Sequence, residues 1–172
     1  EYLVEITTDK MPSAGTINDV SILLNYENYG GLEQRMEKIM LREQSKDFHG
    51  YTPGGDDMYY WMAMRPGGKL VFRIKIPYVS QFTGATFALE NGNTDEWQMS
   101  GLNIYHLDEL SKREITWGEF TVGEASSDRY YDRSFKGEQV FSSTRATLVQ
   151  PGTPATLDIT DGGAFSESTL PD

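Results

Sequence analysis

The sequence contains no cysteine, and this absence excludes disulfide bonds, thiolate catalysis and cysteine metal sites. Histidine is also scarce, since the chain has only two, His49 and His106. Neither belongs to a His-Glu-x-x-His zinc motif, and the chain has no Gly-x-Ser-x-Gly nucleophile elbow. Two isolated histidines are typical of surface or capping positions, so we predict that the chain is not an enzyme.

Positive charge is in short supply as well. The 15 Lys and Arg residues face 26 Asp and Glu residues, which gives a net charge of -11. A surface of this sign repels phosphate backbones, so we predict no nucleic-acid partner. The chain also lacks any apolar run that approaches the length of a membrane span, and no transmembrane segment is predicted.

The start of the sequence bears on cellular location. It begins at Glu1 without an initiating Met and shows no signal peptide. We interpret it as a processed secreted protein or as an excised module of a larger one, and both interpretations stay open. In either case we expect an extracellular or cell-surface location.

Alternating apolar and polar residues are the main structural signal of the chain. Residues 2–7 and 18–26 alternate on either side of a Gly-, Asn- and Asp-rich turn, which is typical of β-strands. In residues 69–76 the side chains of Leu70, Phe72, Ile74 and Ile76 share one face, opposite Arg73 and Lys75. About ten short strands with frequent turn signals predict an all-β fold, an antiparallel β-sandwich. Its predicted core contains Val4, Ile6, Val20, Ile22, Leu24, Met62, Leu70, Phe72, Ile74, Phe87, Trp97, Leu102 and Ile104.

Two segments carry mixed signals. Residues 32–43 have apolar residues at helical spacing, and we predict one short helix near 32–36 followed by a strand over about 37–43. Residues 58–64 are apolar throughout, which predicts a central strand covered on both faces.

The chain is predicted to divide near residue 122. Residues 1–122 form the β-sandwich, and residues 123–172 add strands that pack on the same sandwich. We expect a hairpin over about 139–160, across the Pro- and Gly-containing turn at 150–154, and then a polar tail.

The order of these signals over residues 1–117 resembles the PLAT domain, the β-sandwich named for polycystin, lipoxygenase and alpha-toxin. The matching pieces are the aromatic-led strand 2–7, Ala14-Gly15-Thr16 before an alternating strand, Phe48, Gly55-Asp56-Asp57-Met58-Tyr59, Gly68-Lys69-Leu70, and Trp97 at the start of a late strand. The resemblance implies a non-catalytic module that docks its host protein onto lipid surfaces or protein partners. Where that family carries an acidic residue directly after Gly-Thr, this chain has Ile17.

Oxygen-bearing residues in the predicted loops suggest one cofactor, Ca²⁺. A hard cation of this kind takes about 6–8 oxygen ligands from carboxylates, carbonyls and waters. The candidate ligands are Asp9, Thr16, Asn18, Asp19, Asp56 and Asp57. The same residue types are also ordinary turn formers, and both interpretations stay open.

Aromatic residues supply the candidate ligand-binding site. Trp61 and Trp97 fit core packing, whereas Tyr51 lies in a Gly- and Pro-containing stretch and Tyr130 and Tyr131 lie in a charged one. We predict that these three tyrosines contact a ligand.

Together the patterns favour a non-catalytic binding module of a secreted or cell-surface protein. Its loops would dock to a protein, lipid or glycan partner. The alternative is a structural or assembly protein, such as a shell, spike or adhesin segment, that uses the sandwich for oligomer contacts.

Overall fold

A computed structural model describes residues 2–43, 60–61, 64–90, 95–107 and 138–159, together with the backbone of residues 164–167. These residues form an all-β sandwich of antiparallel strands, as the alternation predicted. The strands are β1 (Tyr2–Thr8), β2 (Val20–Asn28), β3 (Glu33–Arg35), β4 (Ile39–Met40), β5 (Lys69–Ile74), β6 (Val79–Leu89), β7 (Trp97–His106), β8 (Glu138–Ser143), β9 (Thr147–Val149), β10 (Ala155–Asp158) and β11 (Ala164–Glu167). Within the described ranges, no helix has the length and hydropathy that a bilayer crossing requires.

The strands belong to two sheets. The first has the order β5-β1-β7, and both β8 and β9 pair with different parts of β7. The second has the order β11-β10-β6-β2, and both β3 and β4 pair with β2. The long strands pair antiparallel and run between two ends of the sandwich. The β1–β2 connection (residues 9–19) lies at one end, and the β2–β3 and β5–β6 connections lie at the other.

The core lies between the two sheets, where the alternation of β1, β2, β6 and β7 directs every second side chain inward. The rings of Phe87 and Trp97 pack 5.9 Å apart, from opposite sheets. Fully burying an apolar side chain of this size contributes about 1.5–3 kcal/mol. Of the predicted core residues, all except Met62, which lies outside the described residues, are buried.

The helix predicted near residues 32–36 is wrong. Residues 33–35 form β3 and pair with residues 25–27 of β2. The side-chain carboxamide oxygen of Asn28 accepts hydrogen bonds from the backbone N–H groups of Gly30 and Leu32, which closes a tight turn. Leu32, which had suggested an apolar helix face, is 63% exposed. The strand predicted over 37–43 is reduced to β4, and residues 41–43 are helical.

The covered strand predicted over residues 58–64 is also wrong where the structure describes it. Tyr60 and Trp61 are helical, and the Met64 N–H donates a hydrogen bond of 3.0 Å to the Tyr60 carbonyl. Tyr60 and Met64 belong to the core cluster. Tyr60 and Met64 are apolar because they are buried against the sandwich, so at these two positions the composition reflects burial without strand pairing.

Strands are present within the segment predicted as a hairpin at 139–160. However, β9 pairs with β7 and β10 pairs with β6, so the turn between them crosses from one sheet to the other. Gly152 in this turn has a φ of 79°, and an isolated bridge joins Gln150 and Thr153. The predicted division at residue 122 lies outside the described residues and stays a prediction.

Candidate functional site

The β1–β2 loop (residues 9–19) is fastened to Asp95, just before β7. The Thr16 hydroxyl donates a hydrogen bond of 2.9 Å to Asp95 Oδ2, and the Ile17 N–H donates one of 2.6 Å to the same oxygen. The side-chain amide of Asn18 donates to the Asp95 backbone carbonyl at 2.6 Å. The bonds from Thr16 and Ile17 go to a charged carboxylate and are therefore of the stronger kind. Together with the Asn18 bond they hold three successive loop residues in one geometry.

Backbone contacts fix the same loop from its other side. The Thr16 N–H donates to the Met64 carbonyl at 3.2 Å, and the Gln98 N–H donates to the Ala14 carbonyl at 2.9 Å. A β-carbon on Gly15 would lie 2.5 Å from the Met64 carbonyl oxygen. The Ala-Gly-Thr triplet thus has a structural cause, because Ala14 is fully buried, Gly15 permits the close approach and Thr16 binds Asp95.

This rigid loop presents apolar side chains to solvent. Ile17 is 67% exposed and Met11 is 50% exposed. An open groove of about 630 Å³ lies beside Ile17, lined by Pro12, Ser13, Gly15, Thr16, Ile17, Trp61, Met64, Arg65, Pro66 and Asp95. Most of this lining is apolar, with Arg65 and Asp95 supplying the charge. The arrangement suits contact with an apolar surface.

The predicted calcium ligands are only partly brought together. Thr16 and Asn18 share Asp95, whereas the Asp19 carboxylate forms an ion pair with Arg42. The guanidinium of Arg42 also stacks over the Trp61 ring at 4.6 Å.

Asp9 is held through its backbone, which hydrogen-bonds to Gln98 and Gly67, and Asp56 and Asp57 lie outside the described residues. In the described part of the chain, no three His, Asp or Glu side chains are grouped to hold a metal ion. The Oδ1 atom of Asn18 is buried and has no hydrogen-bond partner there, so it keeps a lone pair that suits a cation. Calcium binding stays a prediction.

The predicted ligand-binding tyrosines, Tyr51, Tyr130 and Tyr131, all lie outside the described residues. A different pair, which the sequence analysis missed, is exposed at the opposite end of the sandwich. Tyr29 is 73% exposed and Tyr78 is 69% exposed. Their rings meet edge to face, with centroids 5.8 Å apart at an interplanar angle of 67°. The signal that points to them is a tyrosine inside each of two turn sequences, Asn28-Tyr29-Gly30-Gly31 and Ile76-Pro77-Tyr78.

Tyr2 belongs to the core cluster and lies close enough to Tyr29 to be affected by it electrostatically. The Tyr2 ring packs edge to face on Phe82 and on His106. Burial raises the pKa of the Tyr2 phenol, and the neighbouring Tyr29 raises this pKa further.

No protein-family model and no curated protein matches this sequence. Among solved structures, the chain is similar to the alpha toxin from Clostridium absonum, with a TM-score of 0.43 and 14% sequence identity. The similarity covers 97% of this chain and 30% of the toxin chain, so this chain spans about a third of the toxin's length. The two-sheet architecture itself follows from the strand pairing described above.

Proposed function

We propose that this chain is a non-catalytic binding module that docks through its β1–β2 loop onto an apolar surface of a lipid or protein partner. The supporting observation is Ile17, whose side chain is 67% exposed while its backbone N–H is held by Asp95 at 2.6 Å. A single exposed apolar side chain is common on protein surfaces and does not by itself indicate a binding site. Here the loop is fixed at several points, and the side chain stands beside an apolar groove.

The fixed backbone favours binding. Ordering a mobile loop on association costs free energy, and a loop that is already held avoids that cost. Met11 adds a flexible apolar side chain that adapts to irregular surfaces. Exposed apolar residues are not confined to the β1–β2 loop. Tyr29 and Leu32 lie in another connection, and Val140 and Leu148 lie on strands.

The charge of the chain limits the partner. With a net charge of -11, the module gains nothing from anionic lipid headgroups. A zwitterionic membrane or an apolar patch on a neutral or basic protein suits it better. A bound calcium ion near Asn18 would reduce local repulsion, and for this reason the lipid test includes calcium.

Cosedimentation with phosphatidylcholine vesicles, with Ca²⁺ or with EDTA, tests the lipid form of the proposal. Ile17→Ser and Met11→Ser should each lower the bound fraction. Neither should alter folding, because both side chains are exposed and Ile17 binds Asp95 through its backbone N–H. Leu148→Ser is the matched control, since Leu148 is 40% exposed on β9, outside the loop.

A benzophenone amino acid at position 17 separates the two partner classes, because irradiation yields either a lipid adduct or a protein adduct. Binding that is equal in the wild type and in the Ile17→Ser/Met11→Ser double variant would contradict docking through this loop. Light scattering over a range of concentrations tests the alternative, since an assembly protein increases in mass with concentration.

A further inference from the structure

The exposed tyrosines at the other end of the sandwich form a second surface, independent of the docking loop. Tyr29 follows β2 and Tyr78 precedes β6, next to the paired residues Asn28 and Val79. The Tyr29 N–H donates a hydrogen bond of 3.1 Å to the Tyr78 carbonyl, which continues the β2–β6 ladder by one step. The two rings are therefore positioned by sheet backbone and do not depend on long mobile loops.

Tyr78 has a backbone conformation that is unfavourable for a tyrosine. Its φ is 61°, and it is the one residue other than glycine with a positive φ among those the structure describes. The left-handed region disfavours residues with a β-carbon, and bulky residues are seldom found there. A glycine would fit this turn with less strain. A strained backbone that directs a large aromatic ring into solvent indicates that the ring itself has a role.

Two amide side chains with unused hydrogen-bonding capacity, Asn28 and Gln34, line the same groove as the rings. Asn28 uses its carboxamide oxygen to close the β2–β3 turn, which leaves its Nδ2 donor. Gln34 lines the same groove, which has a volume of about 380 Å³ and also contains Tyr29, Gly30 and Tyr78. Among the described residues, the Asn28 Nδ2, the Gln34 amide and the two phenols make no side-chain hydrogen bond. The groove falls within the usual range for ligand clefts, about 300–1,000 Å³.

Two alternative occupants fit this surface less well. A proline-rich peptide needs a slot between aromatic rings, and here the rings are already in contact at 5.8 Å. A membrane would have to dehydrate the Asn28 and Gln34 amides that line the groove. The net charge of -11 likewise disfavours a sulfated or otherwise anionic ligand.

We propose that Tyr29 and Tyr78 form a binding platform for an uncharged oligosaccharide. The face of an aromatic ring is electron-rich and attracts the weakly positive C–H groups on the flat face of a pyranose. The Asn28 and Gln34 amides supply donors and an acceptor for the sugar hydroxyls at the edge of the rings. Two rings at 67° present differently oriented faces, which suits a bent or twisted chain of sugar units better than a single flat ring.

Calorimetry and intrinsic tyrosine fluorescence with the full chain test this proposal. The probes are neutral hexasaccharides (β-1,4-glucan, β-1,3-glucan, mannan and chitin series), with heparin hexasaccharide, a proline-rich decapeptide and phosphatidylcholine vesicles as comparison ligands. Tyr29→Ala and Tyr78→Ala should each weaken binding of a neutral glycan by at least about tenfold. Met11→Ser, which changes only the docking loop, should leave the glycan affinity unchanged.

Tyr78→Gly separates binding from folding. Glycine adopts the left-handed backbone without strain, so this variant should keep or increase the melting temperature while it loses glycan binding. The proposal is overturned if no neutral glycan binds the wild-type chain, or if a bound glycan keeps its affinity in both alanine variants. Tyrosine-dependent binding of the peptide or the vesicles in place of the glycans would also overturn it. None of these results depends on whether Ile17 docks to a partner.

Discussion

The hydroxyl group of Tyr60 donates a hydrogen bond of 2.6 Å to the backbone carbonyl of Asn18. The Tyr60 hydroxyl oxygen also accepts a hydrogen bond of 2.8 Å from the Val20 N–H. Tyr60 is fully buried, so one phenol joins the end of the β1–β2 loop to the start of β2 without access to water.

Tyr60→Phe should therefore lower the free energy of unfolding by about 1–3 kcal/mol, because it leaves a buried N–H and a buried carbonyl without this partner. Urea unfolding followed by far-ultraviolet circular dichroism measures the change. Tyr29→Phe is the matched control, since its ring is 73% exposed, and its stability should stay within about 0.5 kcal/mol of wild type. Equal stabilities for the Tyr60→Phe variant and the wild type would show that this phenol does not hold the loop.

Gly15→Ala should also be destabilising, because the added methyl group would lie 2.5 Å from the Met64 carbonyl oxygen and 3.2 Å from Pro66 Cδ. Backbone has to move to relieve this overlap, and overpacking of this kind costs about 1–3 kcal/mol. Gly101→Ala on β7 is the control, since its methyl group would meet its nearest atom, the Ser143 carbonyl oxygen, at 3.4 Å. Thermal unfolding should show a lower melting temperature for Gly15→Ala and an unchanged one for Gly101→Ala. A fall in both would point to a general intolerance of β-carbons at glycine positions.

The two-sheet architecture was predictable because period-2 alternation is set by the covalent geometry of a strand. β1, β2, β5 and β7 show this alternation, and their inward residues are buried as expected. Residues 32–36 misled the prediction because three residues of an edge strand are too few to show a period. Asn28 closes the preceding turn through its side chain, which a hydrophobic pattern does not reveal.

The candidate site was predictable only in part, for a similar reason. Thr16 and Asn18 were selected as oxygen-bearing loop residues, and the structure joins both to Asp95, which lies 79 residues from Thr16 along the chain. Such a contact depends on how β6 and β7 bring Asp95 back to the loop, and no local pattern encodes it. Asp19 was selected on the same grounds, yet its carboxylate pairs with Arg42, because the residue type alone does not show which side chains the fold brings next to it.

Thr8→Val should destabilise the core although it replaces one side chain by another of nearly equal shape. The Trp97 indole N–H donates a buried hydrogen bond of 2.9 Å to the Thr8 hydroxyl, and valine offers no acceptor. A buried N–H without a partner costs about 1–3 kcal/mol. Guanidinium unfolding followed by tryptophan fluorescence measures this loss. Thr86→Val is the comparison, since its hydroxyl is only partly buried, and its effect should be clearly smaller.

Calcium should raise the melting temperature if the predicted ligands around Asn18 bind it. A ligand that binds only the folded state adds about 2.7 kcal/mol of stability at a concentration one hundred times its dissociation constant. Differential scanning calorimetry in millimolar CaCl₂ and in EDTA measures the shift. Asp95→Asn should reduce it, because this change removes the carboxylate that accepts the hydrogen bond from Thr16. Identical melting curves in CaCl₂ and EDTA would show that the folded chain does not bind calcium at this concentration.

Glu90 should make stability depend on pH. The hydrogen bond from Lys38, at 2.7 Å, holds the pKa of the Glu90 carboxyl below its ordinary value of 4.5; burial opposes this effect, and the Ser21 hydroxyl, at 2.8 Å, supports it. Because the folded-state pKa is the lower one, the carboxylate contributes its stability above pH 4.5. This contribution is lost as the pH falls through the folded-state pKa.

The measurement is urea unfolding of the wild type and of Glu90→Gln from pH 7 to pH 3. The difference between the two free energies of unfolding, here called the gap, should be widest near pH 7 and should narrow below pH 4.5. Lys38 is about half exposed, so added salt should also narrow the gap at pH 7. Lys38→Met keeps the Ser21 hydrogen bond and should retain part of the pH dependence. A gap that stays constant across the whole range would mean that Glu90 has the same pKa in the folded and the unfolded chain.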